Sequence, residues 1–243
     1  MKERLDRILI ERGLASSRER ARALIMEGKV LVDNRPATKA GEMVSADAGI
    51  GLRGGDIPYV SRGGLKLEAA LDHFAIDLSG MTVMDVGSST GGFTDCMLKR
   101  GAQKAYSIDV GYGQLAWSLR NDPRIVLLER TNIRHLEKQE IPDPVDFATI
   151  DLSFISLKKV FAKVAEFLKN NDLILALVKP QFEVGKGEVG KGGIVREEEK
   201  RLTAVDSVRD FTETLGLETI GVFQSPVPGQ KGNREYFLCV RKP

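Results

Sequence analysis

The sequence predicts an α/β protein, in which a mostly parallel sheet of seven strands has helices on both faces and follows a small α+β domain. After residue 58, seven short apolar segments follow one another with helical stretches in most of the gaps. Only a loop rich in proline and glycine, residues 225–233, separates the last two segments, so these are expected to pair antiparallel. Residues 1–58 lack this alternation and are predicted to form the small domain.

The small domain is predicted to begin with two short helices. Gly13 stands where the C-terminal cap of the first helix belongs, and Ser16 with Glu19 forms a capping-box pattern before the second. The apolar residues at helical spacing are Leu5, Ile8 and Leu9 in the first helix, and Ala21, Leu24 and Ile25 in the second.

Short strands are predicted to complete this domain. Residues 29–32 alternate into Asp33 and Asn34, which favour a tight turn. Residues 38–59 are short strand candidates broken by glycines, and the domain boundary is expected near Pro58.

The larger domain, 59–243, is predicted to open with a helix and then alternate between strands and helices. The core positions of that first helix are Leu67, Ala70, Leu71 and Phe74. The predicted strands are 83–86, 105–110, 125–128, 147–150, 173–178, 219–223 and 236–240, and the helices are 92–100, 113–120, 156–169 and 197–215. This alternation requires a parallel sheet covered on both faces, and seven strands ending in a hairpin are the architecture of class I (Rossmann-like) methyltransferases.

Charge is distributed unevenly along the chain. The total is only +2, but residues 1–41 hold ten basic and six acidic side chains and so carry +4. A basic end on a near-neutral body indicates an anionic partner, with nucleic acid as the first candidate. A basic terminus that serves only solubility is the alternative.

Cysteine and histidine usage argues against a disulfide framework and against a metal site. Cys96 and Cys239 lie in apolar surroundings, and neither they nor His73 and His135 have ligand-like spacing. No basic-then-apolar leader is recognised, and the longest aliphatic run, residues 173–178, is too short to span a bilayer. We therefore expect a cytoplasmic protein without a membrane partner.

A glycine-rich turn between the first strand and the following helix predicts a nucleotide cofactor. Residues 85–92 follow the pattern D-x-G-x-x-x-G-G, whereas a pyrophosphate-binding turn would follow G-x-G-x-x-G. Asp109 ends the second strand and could accept hydrogen bonds from ribose hydroxyls. S-adenosylmethionine is favoured over NAD, because Asp85 would crowd a pyrophosphate but can approach a cationic methionine group. An ordinary glycine-rich turn is the alternative.

The candidate cofactor contacts are spread over the first four strands. Asn132, near the third strand, is a candidate adenine reader, with the alternative that it caps a turn. The full set is Asp85, Gly87, Ser88, Gly91, Gly92, Phe93, Asp109, Asn132 and Asp151.

Four charged residues stand at positions suited to catalysis. Asp151 follows the fourth predicted strand and Lys179 the fifth, so both are expected over the crevice at the carboxyl ends of the sheet. Lys66 lies on the helix before the first strand, and Glu235 precedes the last strand. Taken singly, each is more simply a solvated charge.

Five motifs make the chain resemble the TlyA family of FtsJ-like ribosomal RNA methyltransferases, many of which are labelled haemolysin. They are SRGGLKL at 61–67, DVG at 85–87, DLSF at 151–154, VKPQF at 178–182 and GNREYF at 232–237. Residues 1–58 resemble the alpha-L RNA-binding module named after ribosomal protein S-four. The resemblance implies 2′-O-methylation of a ribose, expected to be cytidine, in large-subunit and in some members also small-subunit ribosomal RNA. It also implies the catalytic tetrad Lys66, Asp151, Lys179 and Glu235.

The chemistry of methyl transfer gives such a tetrad a physical basis. A ribose hydroxyl must lose its proton as the methyl group arrives, and a lysine can take that proton only when it is neutral. A pKa of about 7–8, against about 10.4 for an ordinary lysine, requires burial and a nearby like charge. Lys66 could be that charge for Lys179, Asp151 could orient the amine or the hydroxyl, and Glu235 could hold Lys66 or the ribose.

Two basic regions are candidate RNA contacts. In the small domain these are Arg4, Arg18, Arg20, Arg22 and Lys29, since arginine can bridge phosphates and recognise folded RNA by shape. The glycine-rich, basic loop at 182–196 could be a lid that orders on RNA, or a plain flexible connection.

Two other functions compete with methylation. The chain could be an assembly factor that binds ribosomal RNA or a subunit without catalysis. A pore-forming haemolysin is not expected, because no apolar span or strongly basic amphipathic helix is recognised.

Overall fold

The computed structural model describes residues 2–15, 17–26, 28–53, 57–185, 187–190 and 192–243. It divides into two compact units, Met1–Pro58 and Tyr59–Pro243, called here the N-terminal and C-terminal units. Ser16 of the predicted capping box, and Lys186 and Lys191 of the 182–196 loop, lie outside the described residues.

In its described residues, the N-terminal unit packs two helices and two small sheets around its own core. Its elements are β1 (Lys2–Arg4), α1 (Leu5–Glu11), α2 (Arg18–Met26), β2 (Val30–Val32), β3 (Arg35–Pro36), β4 (Met43–Ser45) and β5 (Ile50–Leu52). β1 pairs antiparallel with β4, and β2 lies between β3 and β5. The sequence did not predict β1, because its three residues are all charged and show no apolar alternation.

Local backbone preferences shape this unit as predicted. Asp33 and Asn34 both have positive φ, 49° and 63°, which is the geometry of the hairpin turns that join twisted strands. Gly13 ends α1 with a φ of 67°. The helix residues predicted for the core are all buried together: Leu5, Ile8, Leu9, Ala21, Leu24 and Ile25.

The C-terminal unit contains the seven predicted strands in one sheet. Its elements are α3 (Arg62–His73), β6 (Thr82–Val86), α4 (Gly92–Lys99), β7 (Lys104–Ile108), α5 (Trp117–Arg120), β8 (Ile125–Leu128), β9 (Val145–Ile150), α6 (Phe161–Ala165), β10 (Leu168–Val178), α7 (Pro180–Glu183), α8 (Glu198–Thr214), β11 (Glu218–Gln224) and β12 (Tyr236–Arg241). The strand order is β11-β12-β10-β9-β6-β7-β8. As predicted, β11 and β12 pair antiparallel, and β12 is also antiparallel to β10, while β10, β9, β6, β7 and β8 are parallel.

Both faces of the central strands of this sheet are buried. Consecutive residues of β6 point to different cores: Met84 packs with α6 and α8, whereas Val83 packs with α3 and α4. The two apolar clusters share the strands by this alternation, which is the pattern of a sheet with helices on both sides.

Two predicted helices are shorter than expected. Within 113–120 only α5 is helical, because Ala116, with a ψ of 139°, is not helical and precedes the first helical residue. Within 156–169 a 3₁₀ turn precedes the five-residue α6, and β10 already begins at Leu168, which pairs with Val145. No helix among the described residues has the length and apolar character needed to cross a membrane.

Candidate active site

A cavity of about 650 Å³ lies at the carboxyl ends of the parallel strands. The turn after β6, the segments after β9 and β10, the first turns of α3 and the segment before β12 form its wall. Eight of the predicted site residues line it: Lys66, Gly87, Ser88, Gly92, Phe93, Asp151, Lys179 and Glu235.

The four predicted catalytic residues form two ion pairs in this cavity. Lys179 Nζ lies 2.7 Å from Asp151 Oδ1 and also donates a hydrogen bond of 3.0 Å to Ser153 Oγ. Lys66 Nζ donates to Glu235 Oε2 over 2.6 Å. The Lys66 and Glu235 side chains are only 11% and 3% exposed, so this pair is buried and its charges balance.

Strand register explains why three of these residues meet. β9 and β10 are parallel, with Ile150 opposite Ala176, so the segments that follow them leave the sheet side by side. β12 is antiparallel to β10, with Tyr236 opposite Val178, which places Glu235 next to Lys179 along the sheet edge. Pro180 is the first residue of α7 and ends β10 just after Lys179.

Gly229 makes room for the buried carboxylate. A Cβ at this position would lie 1.9 Å from Glu235 Oε1, closer than any real contact, and its backbone N–H donates to Asn233 O over 2.9 Å. The sequence analysis missed this residue. Its only signal was its place in the proline- and glycine-rich loop before the last strand.

Asn233, which the sequence analysis gave no role, ties the 182–196 loop to the segment before β12. Its side chain is buried, donates from Nδ2 to Gly193 O over 2.8 Å and accepts at Oδ1 from Val195 N over 3.2 Å. Val189 and Gly193 of the loop line the cavity beside Asn233. This part of the loop therefore belongs to the cavity wall.

The glycines of the turn after β6 are required by close approaches of the backbone. Gly87 has a φ of 91°, and a Cβ there would lie 2.4 Å from Asp151 O. At Gly92 a Cβ would lie 2.2 Å from Ser61 Oγ, at the start of α3. The Ser88 hydroxyl lines the cavity and is buried without a hydrogen-bond partner among the described residues. The turn therefore combines tight packing with one polar group that faces the cavity unpaired.

Two expected cofactor contacts, Asp85 and Gly91, lie behind the cavity wall. Asp85 is fully buried and accepts hydrogen bonds from Thr94 Oγ1 over 2.6 Å and from Thr149 Oγ1 over 3.1 Å. Burial raises the pKa of Asp85 to about 6. Gly91 faces away, since a Cβ there would meet Leu119 and Leu115. Both residues therefore pack against the core on the side of the turn that faces away from the cavity.

Asp109 and Asn132 also lie outside the cavity wall. The Asp109 carboxylate accepts from Ser89 N and Gly111 N, each over 2.7 Å, and so holds the turn after β6 against the end of β7. Asn132 Oδ1 accepts from Arg134 N over 3.2 Å and caps a 3₁₀ turn. The Asn132 side chain therefore acts as the turn cap that was the alternative, and its contact with adenine stays a prediction.

Phe154 stands exposed at the cavity mouth. Its side chain is 90% exposed, its backbone has a φ of 65°, and its ring centroid lies 5.0 Å from that of Phe182. A large apolar residue with this backbone and this exposure is unusual and indicates a functional constraint. Phe154 belongs to the DLSF motif, but nothing in the sequence predicted this exposure.

Three of the predicted RNA-binding arginines converge in the N-terminal unit. Arg4, Arg18 and Arg22 all lie within 4.0 Å of one carboxylate, that of Asp6. The other two predicted contacts, Arg20 and Lys29, lie on α2 and just before β2.

Comparisons with known proteins agree with this division. Residues 59–242 match the family model described as FtsJ-like methyltransferase, and residues 3–50 match the S4 domain. The chain is 48% identical to the 16S/23S rRNA (cytidine-2′-O)-methyltransferase TlyA of Mycobacterium tuberculosis, over 98% of this chain and 89% of that protein. Hemolysin A of Brachyspira hyodysenteriae is 37% identical over 96% of this chain and 97% of its own length. A solved structure from Streptococcus thermophilus that carries a hemolysin name is 39% identical, with a TM-score of 0.78 over 99% of this chain and 88% of that one.

Proposed function

The chain belongs to the FtsJ-like methyltransferase family, and from this premise we propose that it methylates the 2′-hydroxyl of a cytidine ribose in ribosomal RNA. The observation that carries the proposal is the meeting of Lys66, Asp151, Lys179 and Glu235 in one cavity as two ion pairs. The relative from Mycobacterium tuberculosis, whose name gives cytidine in both ribosomal RNAs, supports the same substrate class. We propose large-subunit RNA first, small-subunit RNA second, and action in the cytoplasm.

The proposed methyl donor is S-adenosylmethionine. The unpartnered Ser88 hydroxyl and the glycine-lined wall at Gly87 and Gly92 suit a polar ligand that approaches the backbone closely. Phe93 adds an apolar surface to the same wall. Asp109 keeps lone pairs beyond its two backbone hydrogen bonds and could still accept from ribose hydroxyls. When bound, this cofactor supplies an electrophilic methyl group on sulfur.

The protein's own task is then to align the ribose and to remove its proton. Asp151 Oδ1 lies 2.7 Å from Lys179 Nζ and positions it beside the 2′-hydroxyl. The ion pair is the protonated form of the lysine, so Lys179 Nζ must first lose its own proton and then takes the proton of the hydroxyl. Glu235 holds Lys66, whose remaining N–H groups can donate to the ribose oxygens. Phe154 offers a stacking surface to a base at the cavity mouth.

The N-terminal unit is proposed to hold the RNA. Its match to the S4 domain and the gathering of three arginines on one carboxylate support contacts from Arg4, Arg18 and Arg22 to phosphates. Arg20 and Lys29 are proposed to contribute to the same surface.

Transfer of labelled methyl groups from S-adenosylmethionine to unmodified ribosomal RNA tests the proposal. We expect Lys179→Ala to lower kcat by about 10²–10⁴-fold, the usual contribution of a general base, while calorimetry shows cofactor binding unchanged. Lys169→Ala, which removes a surface lysine paired with Asp146, is the matched control and should keep full activity. Full activity in Lys179→Ala would exclude that lysine from the mechanism. No methylation of either subunit's RNA by the wild type would favour the non-catalytic assembly factor instead.

A further inference from the structure

Asp6 is a buried carboxylate whose role in the N-terminal unit is not explained by packing alone. It lies in the first turn of α1, and its side chain is 0% exposed. An ionised carboxylate without water around it must be paired and hydrogen-bonded. In this unit the partners of Asp6 are arginines.

Arg4 makes the closest contact with Asp6. Its Nε donates to Oδ1 over 3.0 Å and its Nη2 donates to Oδ2 over 2.8 Å, so both carboxylate oxygens face one guanidinium. This two-point contact fixes the plane of the guanidinium as well as its position. The hydrogen bonds from Arg4 hold the pKa of Asp6 below its usual value, so the carboxylate is ionised at neutral pH.

Arg18 and Arg22 approach the same carboxylate from α2. They are four residues apart and therefore share one face of the helix. Their Nε atoms lie 4.0 Å and 3.7 Å from Asp6 Oδ2, so their contacts are looser than that of Arg4. The carboxylate is thus surrounded by guanidiniums from β1 and from α2.

The cluster carries more positive charge than Asp6 can neutralise. Among the side chains that the structure describes in this cluster, three guanidiniums and one carboxylate leave a charge of +2. The arginine side chains remain 43%, 59% and 57% exposed, while Asp6 is not exposed at all. The negative charge is hidden beneath, and the positive charge faces outward. Such a surface is built to receive an anion.

We propose that Asp6 is a positioning residue that orders Arg4, Arg18 and Arg22 into one phosphate-binding surface for RNA. The inference rests on the proposed function, because RNA is the anion in question. Free arginine side chains must be immobilised when they bind, and this lowers affinity. Asp6 removes part of that cost in advance, and it prevents the three like charges from moving apart.

The positioning role and net charge alone predict opposite effects of the Asp6→Asn substitution on RNA binding. Asp6→Asn makes the protein more positive, so simple electrostatics predicts tighter binding to RNA. The positioning role predicts weaker binding, by about tenfold, since long side chains lose their order. It also predicts that the slope of log K against log salt concentration becomes shallower by about 1, the loss of about one phosphate contact.

The experiment measures binding of the full chain to unmodified ribosomal RNA at several salt concentrations. Glu42→Gln is the matched control, since it removes one exposed carboxylate from the same unit and should leave affinity unchanged or slightly higher. In labelled-methyl assays, Asp6→Asn should raise the KM for RNA more than it lowers kcat. Partial unfolding would lower the fraction of active enzyme, and with it the apparent kcat, but would leave KM unchanged.

Arg4→Lys is a second variant that keeps the charge but loses the two-point contact, and it should also bind RNA more weakly. It decides the question if Asp6→Asn unfolds at the assay temperature. Asp6→Asn or Arg4→Lys binding as tightly as the wild type, with an unchanged salt slope, overturns the positioning role. Failure of the wild type itself to bind ribosomal RNA would instead contradict the proposed function of the N-terminal unit.

Discussion

The two charged centres of this chain use the same groups in different proportions. Of the residues that line the cavity, Lys66 pairs with Glu235 and Lys179 with Asp151, and within these two pairs the charges cancel. In the N-terminal unit, three arginines meet one carboxylate, and +2 remains on the surface. A balanced centre holds each polar atom in place for proton transfer, whereas an unbalanced one attracts an anion from a distance.

The difference also determines what the loss of one partner costs. In the cavity each ion is needed by the other, because removal of one leaves a buried charge unpaired. In the arginine cluster the carboxylate has three partners, so loss of one still leaves two. Stability and activity should therefore depend on single residues in the first centre and much less in the second.

The largest effect on stability is expected for Glu235→Gln. It leaves the Lys66 ammonium, 11% exposed, without its counter-ion and should lower the free energy of unfolding by about 3–5 kcal/mol. Urea denaturation measures this. Glu218→Gln removes the exposed partner of Arg241 near the sheet edge and should cost less than about 1 kcal/mol. Equal costs for the two variants would contradict the idea that balance matters only in the buried centre.

Two buried aspartates should respond to pH with opposite signs. Burial raises the pKa of Asp85 from 3.8 to about 6, so the folded state holds more protons and loses stability as pH rises through this range. This rise in the pKa of Asp85 corresponds to a change of about 3 kcal/mol in the free energy of unfolding. The pKa of Asp6 is lowered by Arg4, so its contribution is present at neutral pH and is lost as pH falls below the ordinary value for aspartate.

Unfolding of Asp85→Asn at pH 4 and pH 7, and of Asp6→Asn at about pH 2 and pH 5, tests these signs. Relative to the wild type, Asp85→Asn should become more stable as pH rises, because it lacks the cost of ionising a buried carboxyl. Relative to the wild type, Asp6→Asn should become less stable as pH rises through its own, lower range, because it lacks the favourable pairing with Arg4. If the stability of both variants relative to the wild type changed with pH in the same direction, the surroundings of Asp85 and Asp6 would not determine their pKa values as described.

A smaller but more local effect is expected for Gly229→Ala. The added methyl group would meet Glu235 Oε1 at 1.9 Å and must displace the carboxylate or the loop. We expect a loss of about 1–3 kcal/mol in stability from overpacking, and a loss of about 10²-fold in kcat from misplacement of Lys66. Gly51→Ala, where a Cβ would meet nothing within 4 Å, is the control and should change neither quantity much. An unchanged kcat in Gly229→Ala would show that the position of Glu235 does not affect methyl transfer.

Much of the fold followed from the sequence because it depends on local patterns. Apolar segments of strand length predicted all seven strands of the large sheet, and their order along the chain placed Asp151 and Lys179 at adjacent strand ends. The helices at 113–120 and 156–169 were predicted too long, because Ala116 is not helical and β10 already begins at Leu168.

Contacts between distant segments could not be predicted in this way. Lys66 and Glu235 are 169 positions apart, and no spacing rule links Gly229 to the carboxylate it accommodates. Asp85 looked like a ligand contact because it stands beside the glycine turn, but its side chain points into the core. Asp6 appeared only as one acid among basic residues, since its burial depends on how β1 and α2 pack around α1.

The smallest expected effect, from Arg22→Gln, decides whether geometry or net charge governs the arginine cluster. Because Asp6 keeps its two-point contact with Arg4, stability should change by less than about 1 kcal/mol. RNA affinity should fall by only a few-fold, and the salt slope should become shallower by about 1. Arg7→Gln removes the same charge from an exposed pair with Glu11 on α1 and should change the slope less. If both variants change the slope equally, the N-terminal unit attracts RNA by its total charge, and the arrangement around Asp6 has no separate role in binding.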